Sequence, residues 1–505
     1  MHEERIGIID IGSNSIRLVI YERTPLGAYH VIDGSKEAGR LSEQVDEQGR
    51  LTGSAVERLI EVLHHFKLIC SHHRTVRIRT VATAAIRGAA NSSDVLDKLQ
   101  RATGLTIEVL SGQEEAAFGF LGMVNTIAIK DGFLIDIGGG STELSLFRGR
   151  KLVRSVSLPL GCVNMAKRYA KEGALDERAL QQLEAAVREA IAAEPWVAET
   201  PGLPLVGIGG TARALAKVHQ GYAKYPLPQA HNYAMDAGDT DALFAVLRGT
   251  TPEKRKKMPG LSKERVDLII PGIAILRVFY QACRASRYVI CGAGLRDGLF
   301  YHALMPDHKP VDDILDYSIA SLVRLYPGAP IAHLEQVTRM SGELFESLLS
   351  QHEFPPEAAV WLKAASMLFR IGGSIDYFSY SKHTFYLMTN VHLNGLTHRG
   401  ILIAAAVAAY KNRGGVRQLH AEYKPLLGEA DIETICRLGT LLQLAIALDR
   451  SESQSIGRLA AVVSGNKLLL QPLRADSALA MERKEVQALA GDFKKIWGLT
   501  PLFAT

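Results

Sequence analysis

The amino-acid sequence predicts an α/β architecture as far as about Leu304, built from two related lobes, and then a mainly helical domain with a small C-terminal α/β segment. Three observations carry this expectation. A strand–turn–strand motif occurs twice, two further glycine turns each join a strand to a helix, and mixed patterning gives way to helical patterning after Leu304.

The repeat is the most informative of these. Residues 6–20 read IGIIDIGSNSIRLVI and residues 132–146 read GFLIDIGGGSTELSL. Each copy has an apolar run, an Asp-Ile-Gly, a short polar turn containing Ser, and then alternating apolar residues. Alternation on both sides of a glycine turn predicts a β-hairpin. Duplication at a domain-sized interval predicts two lobes, each presenting one such turn. The stretches PLVGIGGTARALA (204–216) and YVICGAGLRDGLFYHAL (288–304) each read as strand, glycine turn and helix. Amphipathic helices are expected at Gly53–Leu68 and Asn91–Thr103. Strands alternating with helices predict a mainly parallel sheet.

Beyond the polar linker MPDHKP the strand signals fade, and helices are expected from Asp312 to about Ser451, including Ala358–Phe369 and Gly400–Tyr410. The segment VVSGNKLLLQPL followed by a helix over Ala478–Trp497 restores an α/β pattern. The expected domains are therefore 1–125, 126–305, 306–455 and 456–505.

Composition narrows the class. A hydrophobic share of 47% and a charged share of 22% are ordinary for a globular protein, and no apolar run is long enough to span a bilayer. The start MHEERIGIIDIG leads straight into a strand with no signal-peptide pattern. Five cysteines without CxxC spacing suit reduced thiols in the cytoplasm better than a disulfide framework or a zinc site. The net charge of +5 specifies no nucleic acid, and none is expected as a partner, although a local basic tract such as TPEKRKKMPGLSKER (251–265) suits a polyanion.

Glycine turns with successive free N–H groups form anion-binding concavities, and a carboxylate at the strand end can hold a divalent cation that bridges phosphate oxygens. No GxxxxGK[ST] loop occurs, so the chain has no Walker-type phosphate site. Between the repeats, SGQEEAAFGF (111–120) follows the strand-like LTIEVL and opens a helix with Ser111 as its N-cap. Two glutamates in a first helical turn are ordinary dipole complements, yet one of them is also well placed to activate water.

The segments DIGSNSIRL, TVATAAIRGAAN, LSGQEEA, IDIGGGSTEL, LPLGCV, GIGGTA, ERVDLIIPG and CGAGLRDG together resemble the Ppx/GppA family of exopolyphosphatases and guanosine pentaphosphate phosphohydrolases. That resemblance implies a two-lobed actin-like ATPase (ribonuclease H-like) fold, a catalytic cleft between the lobes, and Mg²⁺ or another divalent cation as cofactor. It implies Glu115 as the catalytic base, with Glu114 as the alternative. Asp136 and Glu143, and Asp10 from the first hairpin, correspond to the metal-linked acids. Ser13, Asn14, Gly138, Gly139, Gly140, Ser141, Gly209, Gly210 and Thr211 correspond to phosphate-cradling turns. Arg87 resembles the arginine that meets a phosphate, its alternative being a surface arginine at a helix start, and Arg265 is a further candidate for grasping the polyanion. With neither a cysteine nucleophile nor a Ser–His pair in these motifs, no covalent intermediate is expected.

The helical region resembles the HD-type domain of long family members, with His333 and Asp449 at its first and last ligand positions. Phe369 and Arg370 stand where the His-Asp pair belongs, so this domain is expected to hold no catalytic metal and to extend the polyanion surface or support a homodimer. His383 is expected to pack or carry charge, and the cluster His64, His65, Cys70, His72 and His73 to be unrelated to metal. The resulting expectation is an exopolyphosphatase acting on inorganic polyphosphate, with a pppGpp 5′-phosphohydrolase as runner-up. A non-hydrolysing polyanion sensor and a kinase of the same superfold fit the motifs less well.

Overall fold

The computed structural model describes residues 4–25, 27–171, 174–305, 309–475 and 479–504. Residues 1–3 of the start and Pro306–His308 of the expected linker lie outside the described residues. The chain divides into two compact units, one running to Asp312 and the other from Asp313 onward, with residues 26–28 counted to the second.

The first unit contains two sheets of the same design. In the first, β1 (Glu4–Ile11), β2 (Ser15–Arg23), β3 (Tyr29–Ala38), β4 (Arg77–Ala82) and β5 (Ile107–Val109) lie in the order β3-β2-β1-β4-β5. The second contains β6 (Gly132–Ile137), β7 (Thr142–Arg148), β8 (Lys151–Leu158), β9 (Leu205–Ile208), β10 (Tyr233–Met235) and β11 (Tyr288–Ile290) in the order β10-β11-β9-β6-β7-β8. In both, three antiparallel strands are followed by two parallel ones: β1 pairs with β4 as β6 pairs with β9, and β4 pairs with β5 as β9 pairs with β11. The expected hairpin repeat is thus one corner of a repeated sheet, with β10 added at one edge.

Alternating apolar residues explain the layers. Ile9, Leu18, Leu59, Phe66 and Leu99 form the core between the first sheet and the helices Gly53–His72 and Ser92–Thr103. Phe133, Leu144, Leu183, Leu215 and Ile273 do so in the second lobe, under the helices Glu177–Ala192, Gly209–Tyr222 and Ile269–Ala282. One element departs from the expected division at residue 305. Helix Leu295–Leu304, assigned by sequence to the second lobe, turns back onto the first sheet, where Leu299 and Phe300 bury against Ile6, Ile8, Tyr21 and Val81. Its Gly298 also lies against the Phe118 carbonyl of helix Gly112–Val124. The sequence shows an apolar helix face but not which sheet it meets.

The second unit carries helices from Ile314–Leu325 to Glu429–Ala447, then β12 (Ile456–Ser464), β13 (Lys467–Ala475), helix Ala480–Trp497 and β14 (Thr500–Phe503) in a sheet of order β12-β13-β14. Segments 306–455 and 456–505, expected as separate domains, belong to one compact unit from Asp313 onward, and Trp497 Nε1 donates to Thr440 Oγ1 at 2.9 Å. His333 and Asp449 meet in its core, both buried, with 2.7 Å between Nδ1 and Oδ2. The Phe369 ring stands edge-on to His333, and Arg370 lies 3.5 Å from Glu452. An apolar ring therefore occupies the space beside this pair. Of the histidine-rich stretch, Cys70 is buried in the lobe-one core and His73 pairs with Asp33 at 2.7 Å.

Candidate active site

The two hairpin turns face each other across a cleft. Each closes in the same way: Gly12 N–H donates to the Ser15 carbonyl at 3.2 Å, and Gly138 N–H to the Ser141 carbonyl at 2.9 Å. A side chain at Gly139 would begin 2.9 Å from Ser13 Cβ, and one at Gly140 would begin 2.8 Å from Ser13 Oγ. The glycines of the second turn thus let it touch the first. Cys162 and Val163 donate their N–H groups to the carbonyls of Gly138 and Gly139, fixing the second turn from behind. The parallel strands β1, β4, β6, β9 and β11 all run toward this cleft, which lies outside their carboxyl ends as expected for an α/β ligand site.

Helix Gly112–Val124 brings in the glutamates. Ser111 caps it, accepting from Glu114 N–H at 3.2 Å, while the Glu114 carboxylate accepts from Ser111 N–H at 2.7 Å. This reciprocal cap uses up Glu114 at the surface. Glu115, one position on, is turned into the cleft and largely buried. The two candidates are therefore separated by geometry, and Glu115 is the one facing the phosphate turns.

Arg87 is not among the residues that line the cleft; its guanidinium donates to the Glu115 carboxylate and to the Leu110 carbonyl, and so holds the glutamate. Thr211 corrects an expectation. The helix begins at Gly209 itself, without an intervening turn, which places Thr211 beneath the cleft against Gly272, where it is buried. Gly209 adopts φ 77° and passes directly over Asp136 Oδ1, a position closed to any larger residue. Arg265 lies along Gly210 and does line the cleft. Cys162, of LPLGCV, lines it too; burial pushes its thiol up, which keeps it un-ionised and inert.

Sequence reasoning missed three arginines. Arg17, Arg213 and Arg296 line the cleft with Arg265 and with the carboxylates of Asp10, Glu115, Asp136 and Glu143. Arg17 and Arg296 sit inside the motifs DIGSNSIRL and CGAGLRDG, and Arg213 directly follows GIGGTA. The signal was an arginine recurring within a few residues of each glycine turn. Arg213 also ties two loops together, donating to the carbonyls of Gly209 at 3.0 Å and Gly292 at 3.1 Å.

The charges are not mixed at random. Arg17 is pushed down to about 10 by burial and then by Arg296 and Arg213, and Arg213 is lowered by burial and Arg296, so these arginines crowd one another. Glu115 is raised by burial and by Glu143, against the pull of Arg87, and Glu143 is raised by burial and by Asp136. Burial raises Asp10, and it carries Asp136 to about 6, with Arg213 opposing and Asp10 reinforcing. Asp10 feels the attraction of Arg296 and Arg17, and Asp136 that of Arg213, Arg17 and Arg296, whereas the cation acting on Glu115 and Glu143 is Arg87.

Asp10, Asp136 and Glu143 are hard oxygen donors of the kind Mg²⁺ takes. Among the described residues no three His, Cys, Asp or Glu side chains converge closely enough to hold an ion by themselves. The donor set still fits Mg²⁺, which is usually held by one or two carboxylates and completes its shell with substrate phosphates and water. The mutual repulsion of Asp10 and Asp136 is what such a cation would relieve.

Paired phosphate turns in duplicated lobes, with a glutamate facing them, define a two-lobed phosphate-handling protein of actin-like fold. The model of the Ppx/GppA phosphatase family matches residues 19–307, and that of its domain III matches residues 316–477. The chain belongs to the Ppx/GppA phosphatase family, whose members hydrolyse phosphoanhydride bonds. Among solved structures, an exopolyphosphatase from Cytophaga hutchinsonii is similar at 22% identity and TM-score 0.55, over 60% of this chain and 98% of that one. The Aquifex aeolicus family member is similar at 26% identity and TM-score 0.53, over 61% and 99% of the two chains. Among the described residues, no helix is long and apolar enough to cross a membrane.

Proposed function

We propose that this protein is an exopolyphosphatase that removes terminal orthophosphate from inorganic polyphosphate, with Mg²⁺ or another divalent cation bound near Asp10, Asp136 and Glu143. The observation that carries this reading is that four arginines line the cleft together with Asp10, Glu115, Asp136 and Glu143. A chain of phosphates entering with its terminus toward Glu115 would leave its inner phosphates among Arg17, Arg213, Arg265 and Arg296.

The chemistry follows from that placement. The turns at Ser13–Asn14 and Gly138–Ser141 receive the terminal phosphoryl group on backbone N–H groups. Glu115, steered by Arg87, accepts a proton from water as the water oxygen bonds to the terminal phosphorus. The bridging P–O bond breaks, and the shortened chain leaves as an oxyanion stabilised by the arginines. A bound divalent cation would supply charge neutralisation between the phosphate oxygens and the carboxylates.

The runner-up substrate is pppGpp, which presents the same terminal phosphoanhydride. Polyphosphate is favoured because, among the described residues, those lining the cleft include no aromatic side chain to offer guanine a stacking face. Phosphate release from long-chain polyphosphate and from pppGpp, measured side by side with Mg²⁺ and again after chelation, tests the reading. Higher kcat/KM for polyphosphate and loss on chelation are expected. A higher value for pppGpp would overturn the substrate, and undiminished activity after chelation would overturn the cofactor.

A further inference from the structure

His231 takes part in no step above, yet it bonds to Gly292, a residue that lines the cleft. Gly292 N–H donates to its Nδ1 at 3.1 Å, and its Nε2 lies 3.2 Å from the Thr126 carbonyl. An Nδ1 that accepts requires the proton on Nε2, so the ring is a neutral imidazole with both nitrogens engaged. Pairing of β10 with β11 sets it there: Tyr233 lies opposite Ile290, and Asn232, at φ 60°, donates its N–H to the Ile290 carbonyl at 2.7 Å.

Both partners matter to the site. Thr126 closes the helix that begins at Gly112 and carries Glu115, its hydroxyl bonding back to the Gly122 carbonyl at 3.0 Å. Gly292 opens the segment Gly292–Arg296, all of which lines the cleft and whose last two residues begin helix Leu295–Leu304. The Gly292 peptide is gripped on both sides, its N–H by His231 and its carbonyl by Arg213. Farther along, Gly294 N–H donates to Asp297 Oδ2 at 2.8 Å, and Tyr21 of the first sheet donates to Asp297 Oδ1 at 3.0 Å. Cys291 adds only weak contacts, 3.9 Å to His231 Nδ1 and 3.6 Å to Thr126 Oγ1. Without an acceptor at residue 231, the Gly292 N–H would face a site that offers it little else, and a loop with an orphaned peptide group shifts to find water.

We propose that His231 is a positioning residue for polyphosphate binding, a neutral imidazole strut that ties the end of the Glu115 helix to the Gly292–Arg296 segment and so aims Arg296 at the inner phosphates. The inference rests on the proposed function for its substrate. Because Arg296 is the side chain aimed at the inner phosphates, loss of the strut acts chiefly on binding of the phosphate chain.

The test compares His231→Leu, His231→Asn and His231→Gln with wild type, using KM and kcat for long-chain polyphosphate and the calorimetric Kd of tripolyphosphate. His231→Leu is expected to raise both KM and Kd about tenfold, equivalent to about 1.4 kcal/mol, with little change in kcat. Asn places its carboxamide oxygen near the Nδ1 position and is expected to recover most of this loss. Gln reaches the Nε2 position instead and is expected to resemble Leu. Unchanged KM and Kd in His231→Leu, or equal values for Asn and Gln, overturn the proposal. If the Leu variant fails to fold, the Asn–Gln comparison decides alone. The Kd needs no turnover, so wild type that binds tripolyphosphate but releases no phosphate counts against the proposed function and not against the strut.

Discussion

The two hairpin turns share one design and differ at one decisive place. Asp10 and Asp136 occupy the same position in β1 and β6, and both turns close with the same backbone bond. Directly across the ladder from Asp10 stands Arg17, whereas across from Asp136 stands Glu143. Duplication preserved the backbone cradle, and divergence at this one position set the two turns apart. The first copy faces a polyanion with a cation. The second adds a carboxylate that, like Glu115, is raised by burial and so able to handle a proton.

If the carboxylates perform the chemistry, the largest effect belongs to Glu115. Glu115→Gln is expected to lower kcat for phosphate release by at least about 100-fold while tripolyphosphate still binds, as removal of a general base predicts. Phosphate-release kinetics together with calorimetry check both halves of that statement.

Reversing the distinguishing position of the first copy comes next. Arg17→Ala is expected to lower kcat/KM for polyphosphate by about 10- to 100-fold, the range for losing a hydrogen bond to a charged group. An effect confined to kcat would show that Arg17 serves the reacting phosphoryl group and not the inner phosphates.

A smaller effect, visible in the pH profile, is expected from Arg87→Ala. Glu115 must be ionised to accept a proton, and burial with Glu143 already raises it, so activity is expected to fall as pH drops through neutrality. Removing the Arg87 cation raises Glu115 further, which moves the acid limb to higher pH, and profiles of kcat against pH for the two proteins measure the shift.

The smallest effect is on stability. Glu143 is raised in the folded protein, so folding favours its protonated form. That contribution is complete below the unfolded value of 4.5 and is lost as pH rises through the folded value. Glu143→Gln, neutral at every pH, is therefore expected to gain a few degrees in Tm over wild type above neutrality and none near pH 4 when divalent ions are chelated. Thermal melts across that range would reveal the difference, and a gain at low pH would contradict it.

Much of this was legible in the chain. The repeat gave the hairpins because period-two alternation around glycine is a local property, and the capped helix at Ser111 was local for the same reason. The roles of Glu114 and Glu115 were not legible, since adjacent helical positions differ by a rotation whose meaning depends on what surrounds the helix. Thr211 was misplaced and the bond from Arg87 to Glu115 was not foreseen, on similar grounds: a motif gives the neighbourhood of a side chain and not its partner. Arg17, Arg213 and Arg296 lay in or beside the motifs and were given no role.

The sequence by itself determined the duplicated strand–turn–strand units, the break after Leu304, and the residue types able to bind phosphate, because each depends on chain-local geometry and chemistry. Tertiary structure alone decided which lobe helix Leu295–Leu304 completes, which glutamate enters the cleft, and that four arginines gather there with four carboxylates. Those outcomes depend on packing between segments far apart in the chain, where burial and the sum of neighbouring charges, neither visible along one strand, set what each side chain can do.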